Sequence, residues 1–400
     1  MTSPVDTSVK FWSSLMDGVA KPTISGALGS YIALIDALIA GFDSKSCTIN
    51  VAGGVATVAW SGLHSCMTDT VVLISGATGA WTDLNGEQKI TAKTPGAASA
   101  TFATALGNGA ATGSITIAMA PLPYWTKVFA GTNLAAYRSL DPLSNGFFHR
   151  IDDTNYWIRC IGYETMTDVN TGLGLFPTTA LLNGGTYSYK SNLIGAAVNP
   201  WVVFADSRSI HFMLAANFQN GAGGFHGPLH GFGDGVATRP GGDPWISYMS
   251  GTNASALSSG YGGLDSPIAS GVVYVPRNYT GLGSSYAVNS WPFSGSTNLA
   301  SGADSIFGSF PSPLDGIMRL SPRVLAQSGF IRAWVPGVYH APHSLVADSF
   351  RFGDRVTGSG SLAGKRFFVI NPPSTTWGGV TQISSASCGA SFIDVVGPWR

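Results

Sequence analysis

The chain reads as mainly β, with one N-terminal helix, a small β-sandwich or barrel domain, and a larger β-sandwich-type domain carrying a long loop excursion. Three observations predict this. Glu occurs only at Glu87 and Glu164 while Gly reaches 52 of 400 residues, a composition suited to short strands and tight turns rather than surface helices. Short alternating runs such as "CTINVAGGVATVAW", "DTVVLISGATG" and "GSITIAMA" are punctuated by Gly-Gly, Asn-Gly and Gly-Asn turns. Beyond Trp125, aromatic residues fall within strand-like runs, among them "NYWIRCIGYETM", "WVVFADSRSIHFML", "PWISYM" and "KRFFVIN".

Taken in chain order, residues 24–42 carry the helical pattern. Tyr31, Leu34, Ile35, Leu38, Ile39 and Phe42 recur at three- and four-residue steps, with Gly41 at the stop. So wide an apolar face must pack either on the chain's own β domain or on a neighbouring subunit, and residues 1–45 are expected to form a docking segment. Residues 46–120 form the small β domain. Pro121 and Pro123 in "APLPYW" mark the boundary, since each fixes φ and pushes its predecessor towards an extended form. Residues 121–400 form the large β domain. Within it, residues 250–315 are rich in Gly, Ser, Asn and Ala with little strand periodicity, and read as an excursion that is functional or packed on a partner.

Charge sets limits on function. Charged residues make up 10% of the chain, 21 basic against 21 acidic, so no basic field exists to hold phosphates, and nucleic acid is not an expected partner. So little charge gives weak colloidal repulsion, which favours life inside an assembly. Asp6 and Lys10 interrupt the region where a signal peptide would be apolar, so synthesis in a cytoplasm is expected. The longest apolar stretch, "YIALIDALIAGF", contains Asp36 and is short of the roughly 20 residues that cross a bilayer, so no membrane insertion is expected. Four cysteines, Cys47, Cys66, Cys160 and Cys388, are widely spaced; buried thiols are expected, with a Cys47–Cys66 bridge as the alternative.

The stretch "GFHGPLHGFGD" places His226, His230 and Asp234 four residues apart, a spacing that raises metal binding. Gly227, Pro228 and Gly231 would break the helix needed to present such ligands together. "FGD" also returns at Phe352–Asp354 after His340 and His343, and an internal duplication favours a structural role: Phe in the core, Gly at a backbone conformation closed to other residues, Asp accepting from the following turn. "DVNTGLG", Asp168–Gly174, begins like a calcium loop, but Gly172 stands where a ligand should be and no downstream carboxylate completes it. Asp152 and Asp153 could form an acid/base pair, although strand neighbours point to opposite faces. No nucleophile elbow, P-loop or dinucleotide fingerprint is present, so no catalytic, cofactor-binding or metal residue and no cofactor is expected.

Several stretches carry a resemblance: "TSPVDTSVKFWSSLMDGVAKPTISGALGSYIALIDALIAGF", "GVATVAWSGLHSCMTDTVVLISGATGAWTDLNGEQKITA", "AYRSLDPLSNGFFHRIDDT" and "IGYETMTDVNTGLGLFPT". Over roughly residues 1–250 the chain resembles a group of tailed-bacteriophage virion proteins encoded among tail genes. The resemblance implies a non-enzymatic tail, tail-tip or baseplate subunit, assembled in the host cytoplasm, with copies of itself and other virion proteins as partners. It implies no active-site residue. The alternative is a host-surface glycan-binding module or receptor-binding protein, with Trp291, Tyr261 or Tyr286 stacking on a sugar face. A third reading is a polysaccharide depolymerase, which needs two carboxylates roughly 5–10 Å apart in a groove.

Overall fold

A computed structural model describes residues 3–216, 227–252, 263–264, 272–292, 308–327, 330–370 and 390–400. The fold is mainly β, 48% strand against 7% helix, as the composition predicts.

The first β unit is a closed barrel. Strands Phe42–Ala52, Val55–Trp60, Ser99–Ala103, Gly86–Ala92, Val71–Thr78 and Thr112–Met119 pair in that order, and the last pairs back with the first. Closure removes exposed sheet edges. Alternation supplies the interior: Ala56, Val58 and Trp60 point inward from one strand, and Ile49 and Val51 from its neighbour. Those two strands are joined by Gly53 and Gly54 at φ 57° and 77°, the pair of positive values that a tight two-residue hairpin demands.

The second β unit has two sheets. Trp125–Gly131, Leu134–Ser139, Phe148–Asp152, Trp157–Tyr163 and Thr186–Tyr189 form a five-stranded antiparallel meander. A thirteen-stranded sheet runs from Lys10–Ser13 through Trp201–Ala205, Ser209–Leu214, Leu229–Asp234 and Ser247–Ser250, and ends on Ala390–Asp394, Arg366–Ile370 and Arg355–Thr357. Its early strands are covered on both sides. Val203, Phe212 and Phe232 pack towards the meander with Tyr137, Ile151 and Ile158, while Val202, Phe204, Met213 and Leu229 pack on Phe368, Ile393 and Val395 from the far end of the same sheet. Strands buried on both faces lose the apolar/polar alternation, which is why "WVVFA" and "SIHFML" are nearly continuous apolar runs.

Three differences from the sequence reading have physical causes. The helix is Ser30–Ala40 rather than 24–42. Its start is set by Gly29 at φ 76° and its end by Gly41, while Ile24–Ser25 is extended and pairs with Val198–Asn199. The helix face is covered by the chain itself: Tyr31, Leu34, Ile35 and Leu38 have no exposed surface, and the Tyr31 ring lies 5.1 Å from that of Phe212. Of the expected docking segment 1–45, both the helix and the strand Lys10–Ser13 are therefore core elements.

The excursion contains two strands that its Gly/Ser composition hides. Val272–Val275 and Tyr286–Pro292 pair with each other and sit inside the large sheet, between Ser247–Ser250 and Ser321–Gln327. Residues 253–262, 265–271 and 293–307 lie outside the described residues.

The two "FGD" copies are different elements. Phe232–Asp234 closes a fully buried strand, whereas Phe352–Asp354 is a turn ahead of Arg355–Thr357. Both glycines have positive φ, 128° at Gly233 and 90° at Gly353, as the duplication argument expects. The aspartates do not serve the turn that follows them. Asp234 accepts from Ser144 Oγ and the Asn145 N–H, and Asp354 from the preceding Arg351 N–H.

Candidate functional site

On the strand Leu229–Asp234, residues 230, 232 and 234 share one face and point at the meander. His230 Nδ1 meets Ser188 Oγ, Phe232 lies 4.9 Å from the His149 ring and 5.7 Å from Trp125, and Asp234 reaches the 144–145 loop. Four strand residues span about 13 Å, too far for His230 and Asp234 to share an ion. His226 lies outside the described residues. Among the described residues, no group of three or more His, Cys, Asp or Glu side chains could hold a metal.

The buried histidines are core residues instead. Burial pushes His149, His211 and His230 each down to about 3, so each ring is neutral at physiological pH. His211 Nε2 pairs with the Tyr248 hydroxyl at 2.5 Å, and its ring stacks on Trp399 at 5.3 Å. Cys47, Cys66 and Cys160 are free thiols, pushed up by burial to about 11 and 12 at the first two. Cys388 lies outside the described residues.

The calcium-like loop is filled by a guanidinium. Arg150 Nε donates to the Val169 carbonyl at 2.7 Å and Nη2 to Asn170 Oδ1 at 3.2 Å, so the loop oxygens already serve a cation. The Asp168 carboxylate accepts from the Asn170 N–H, as a turn-former does.

Asp152 and Asp153 part ways as strand neighbours should. Asp152 Oδ1 accepts from the Thr154 N–H and hydroxyl, making the local turn. Asp153 is wholly buried and caps the helix from another part of the chain. Its Oδ2 accepts from the N–H groups of Tyr31 at 2.8 Å and Ile32 at 3.2 Å, two of the donors that a helix start leaves unpaired. Its Oδ1 meets Lys190 Nζ. Lys190 is equally buried, and its Nζ also donates to the Ala27 carbonyl at 2.5 Å and to Ser30 Oγ at 3.2 Å. Lys190 was invisible as a site residue, because "TYSYK" reads as an ordinary strand end and its partner lies 37 residues away.

Other charges are also paired. Arg277 clasps Glu164 at 2.6 and 2.7 Å while its guanidinium lies 4.6 Å over Trp245, and Arg400 holds Asp206 at 2.7 Å. Beside Asp234 a polar cleft of about 200 Å³ is lined by Asn145, Arg208, Asp243 and Arg400. Its Asp243 is committed to Arg332.

Of the aromatic residues considered for sugar stacking, Tyr261 lies outside the described residues. Tyr286 is 42% exposed, and Trp291 is half-buried with an indole N–H that has no partner among the described residues. Their positions differ by an odd number along one strand, so they face opposite sides of the sheet and cannot form one platform.

Among the described residues, exposed apolar side chains gather near the pairing of Ile24–Ser25 with Val198–Asn199. Leu193, Ile194 and Val198 are 54%, 60% and 49% exposed. Val198 pairs with Ser25 and the Leu193 carbonyl packs against Gly26, which brings this segment to the stretch that leads to Leu28, 46% exposed. The sequence matches no protein-family model, and a comparison with characterised proteins finds no relative.

Proposed function

We propose that this chain is a non-enzymatic structural subunit of a tailed-bacteriophage virion, a tail, tail-tip or baseplate component that assembles through contacts with its own copies and with other virion proteins. The observation that carries this reading is the ridge of Leu28, Leu193, Ile194 and Val198, exposed on a chain of very low charge. Burying such a ridge against a partner gains apolar contact with little charge to desolvate. The phage and tail part of the reading comes from the resemblance of residues 1–250 to tail-gene products. The double change Ile194→Asp and Val198→Asp tests it. Incorporation into particles is expected to fall while the purified subunit keeps its circular dichroism and melting profile; unchanged incorporation counts against the ridge as the contact.

A host-glycan-binding module is the alternative, and the observation favouring it is the exposed Tyr286 ring. Binding of the purified protein to host polysaccharide, lost on Tyr286→Ala, would reverse the ranking.

A further inference from the structure

We propose that Lys190 and Asp153 become joined by an amide bond between Nζ and Cγ, a cross-link that the folded chain forms within itself. Three features of the geometry point there. Both side chains have zero exposure and are hydrogen-bonded to each other, so the nitrogen is held beside the carboxyl carbon with bulk water excluded. The second carboxyl oxygen, Oδ2, faces the N–H groups of Tyr31 and Ile32 at the start of an 11-residue helix, donors placed where negative charge would develop on attack. Nζ is also held by the Ala27 carbonyl and Ser30 Oγ, which restricts its movement away from Asp153.

The step balances without any co-reactant. A proton passes from the Lys190 ammonium to Asp153 Oδ1, giving an amine and a carboxylic acid. The Nζ lone pair then forms the bond to Cγ while the C=O π pair moves onto Oδ2, where the two helix N–H groups receive it. A second proton leaves Nζ for the Oδ1 hydroxyl, directly or through Ser30 Oγ. The Cγ–Oδ1 bond breaks, Oδ1 departs as water, and the Oδ2 pair restores the carbonyl. Of the three ammonium protons, two leave in the water and one remains on the amide; nothing is oxidised or reduced. Burial favours the reactive form, because desolvation lowers Lys190 and raises Asp153 towards their neutral states. The product would tie the end of the strand Phe148–Asp152 to the residue after Thr186–Tyr189, directly over the helix start. Such a closure restricts the unfolded chain as a disulfide does.

The test is the intact mass of the purified full-length chain under denaturing conditions, followed by peptide mapping. The expected result is a mass one water below that of the sequence, a branched peptide joining the Lys190 and Asp153 segments, and the full sequence mass for Lys190→Arg. Since mass is read on denatured protein, the variant need not fold. A wild-type chain that keeps its full mass after prolonged incubation, with the two residues in separate peptides, overturns the proposal. A Lys190→Arg chain that still lacks one water overturns it as well.

Discussion

Arg332 and Asp243 form a salt bridge with no exposed side-chain surface on either partner, Nη2 and Nε both reaching Oδ2 at 2.8 and 3.0 Å. The guanidinium is satisfied further by the Arg277 carbonyl and Gln327 Oε1 at 2.8 and 2.9 Å. It thereby ties the 239–246 loop to the strand Phe330–Ala341 and, through Arg277, to Glu164 of the neighbouring layer. Removing one partner strands the other charge in the core. Asp243→Ala is expected to cost about 3–5 kcal/mol in denaturant unfolding, well above a surface change of about 0.5 kcal/mol. A loss below about 1 kcal/mol would mean that water reaches the guanidinium.

The two "FGD" glycines give an internal comparison. A Cβ on Gly233 would stand 2.2 Å from the Arg208 carbonyl oxygen and 2.6 Å from Ser209 Cα, backbone atoms that cannot step aside. On Gly353 the nearest atom is the tip of Leu15 at 3.3 Å, which can move. Both positions carry the positive-φ penalty, of order 1 kcal/mol. Gly353→Ala is expected to show that penalty alone, and Gly233→Ala a distinctly larger loss, measured as paired urea midpoints. Equal losses would show that backbone conformation alone decides both sites.

How far the sequence can be read follows from how local each signal is. The barrel was legible because its strands expose one face, so Ala56, Val58 and Trp60 announce themselves by alternation. The helix was legible from its 3.6-residue stripe, though not its start, since Ile24–Ser25 is extended and Gly26 ahead of the helix is packed against the Leu193 carbonyl. Lys10–Ser13 was not, since a buried lysine does not look like a strand end; its Nζ is neutralised by Glu87 at 3.0 Å, 77 residues on. The strands at 272–275 and 286–292 were submerged in a Gly/Ser-rich composition. The pairs that organise the interior, Asp153 with Lys190 and Asp243 with Arg332, join residues brought together only by tertiary structure, and no local pattern announces them.

Removal of residues 1–42 is expected to abolish folding rather than release a stable β protein. The segment contributes the strand that pairs with Trp201–Ala205 and the side chains of Trp12, Met16, Ile24, Tyr31, Leu34, Ile35 and Leu38, all at most 1% exposed. Burying each large apolar side chain is worth about 1.5–3 kcal/mol, so their combined loss is comparable with a whole domain's net stability of about 5–15 kcal/mol. The check is solubility and thermal unfolding of the truncated chain. A cooperative melt close to that of the full chain would show that the remaining sheets can close over the gap.

Acid should unfold this protein well above the carboxylate range. His149, His211 and His230 titrate at about 3 in the folded chain because burial penalises the imidazolium, against about 6.5 in an unfolded chain. Between those values the unfolded state binds protons that the folded state refuses. Their contribution is therefore fully present above about pH 6.5 and is lost as pH falls towards 3. Each histidine contributes a slope that rises to about 1.4 kcal/mol per pH unit once the unfolded ring is fully protonated, so the three together approach about 4. From pH 7 to pH 5 that amounts to about 6 kcal/mol in all, enough to unfold a domain of ordinary stability. Urea titrations at pH 7, 6 and 5 are expected to show a loss of about 2 kcal/mol over the first unit and about 4 over the second, with uptake of about three protons on unfolding near pH 5. His211→Gln, which leaves the other two rings in place, should reduce the slope by about a third. A stability that is flat from pH 7 to 5 would mean that the folded chain protonates these rings, and that the core around Phe232 and Trp399 admits charge.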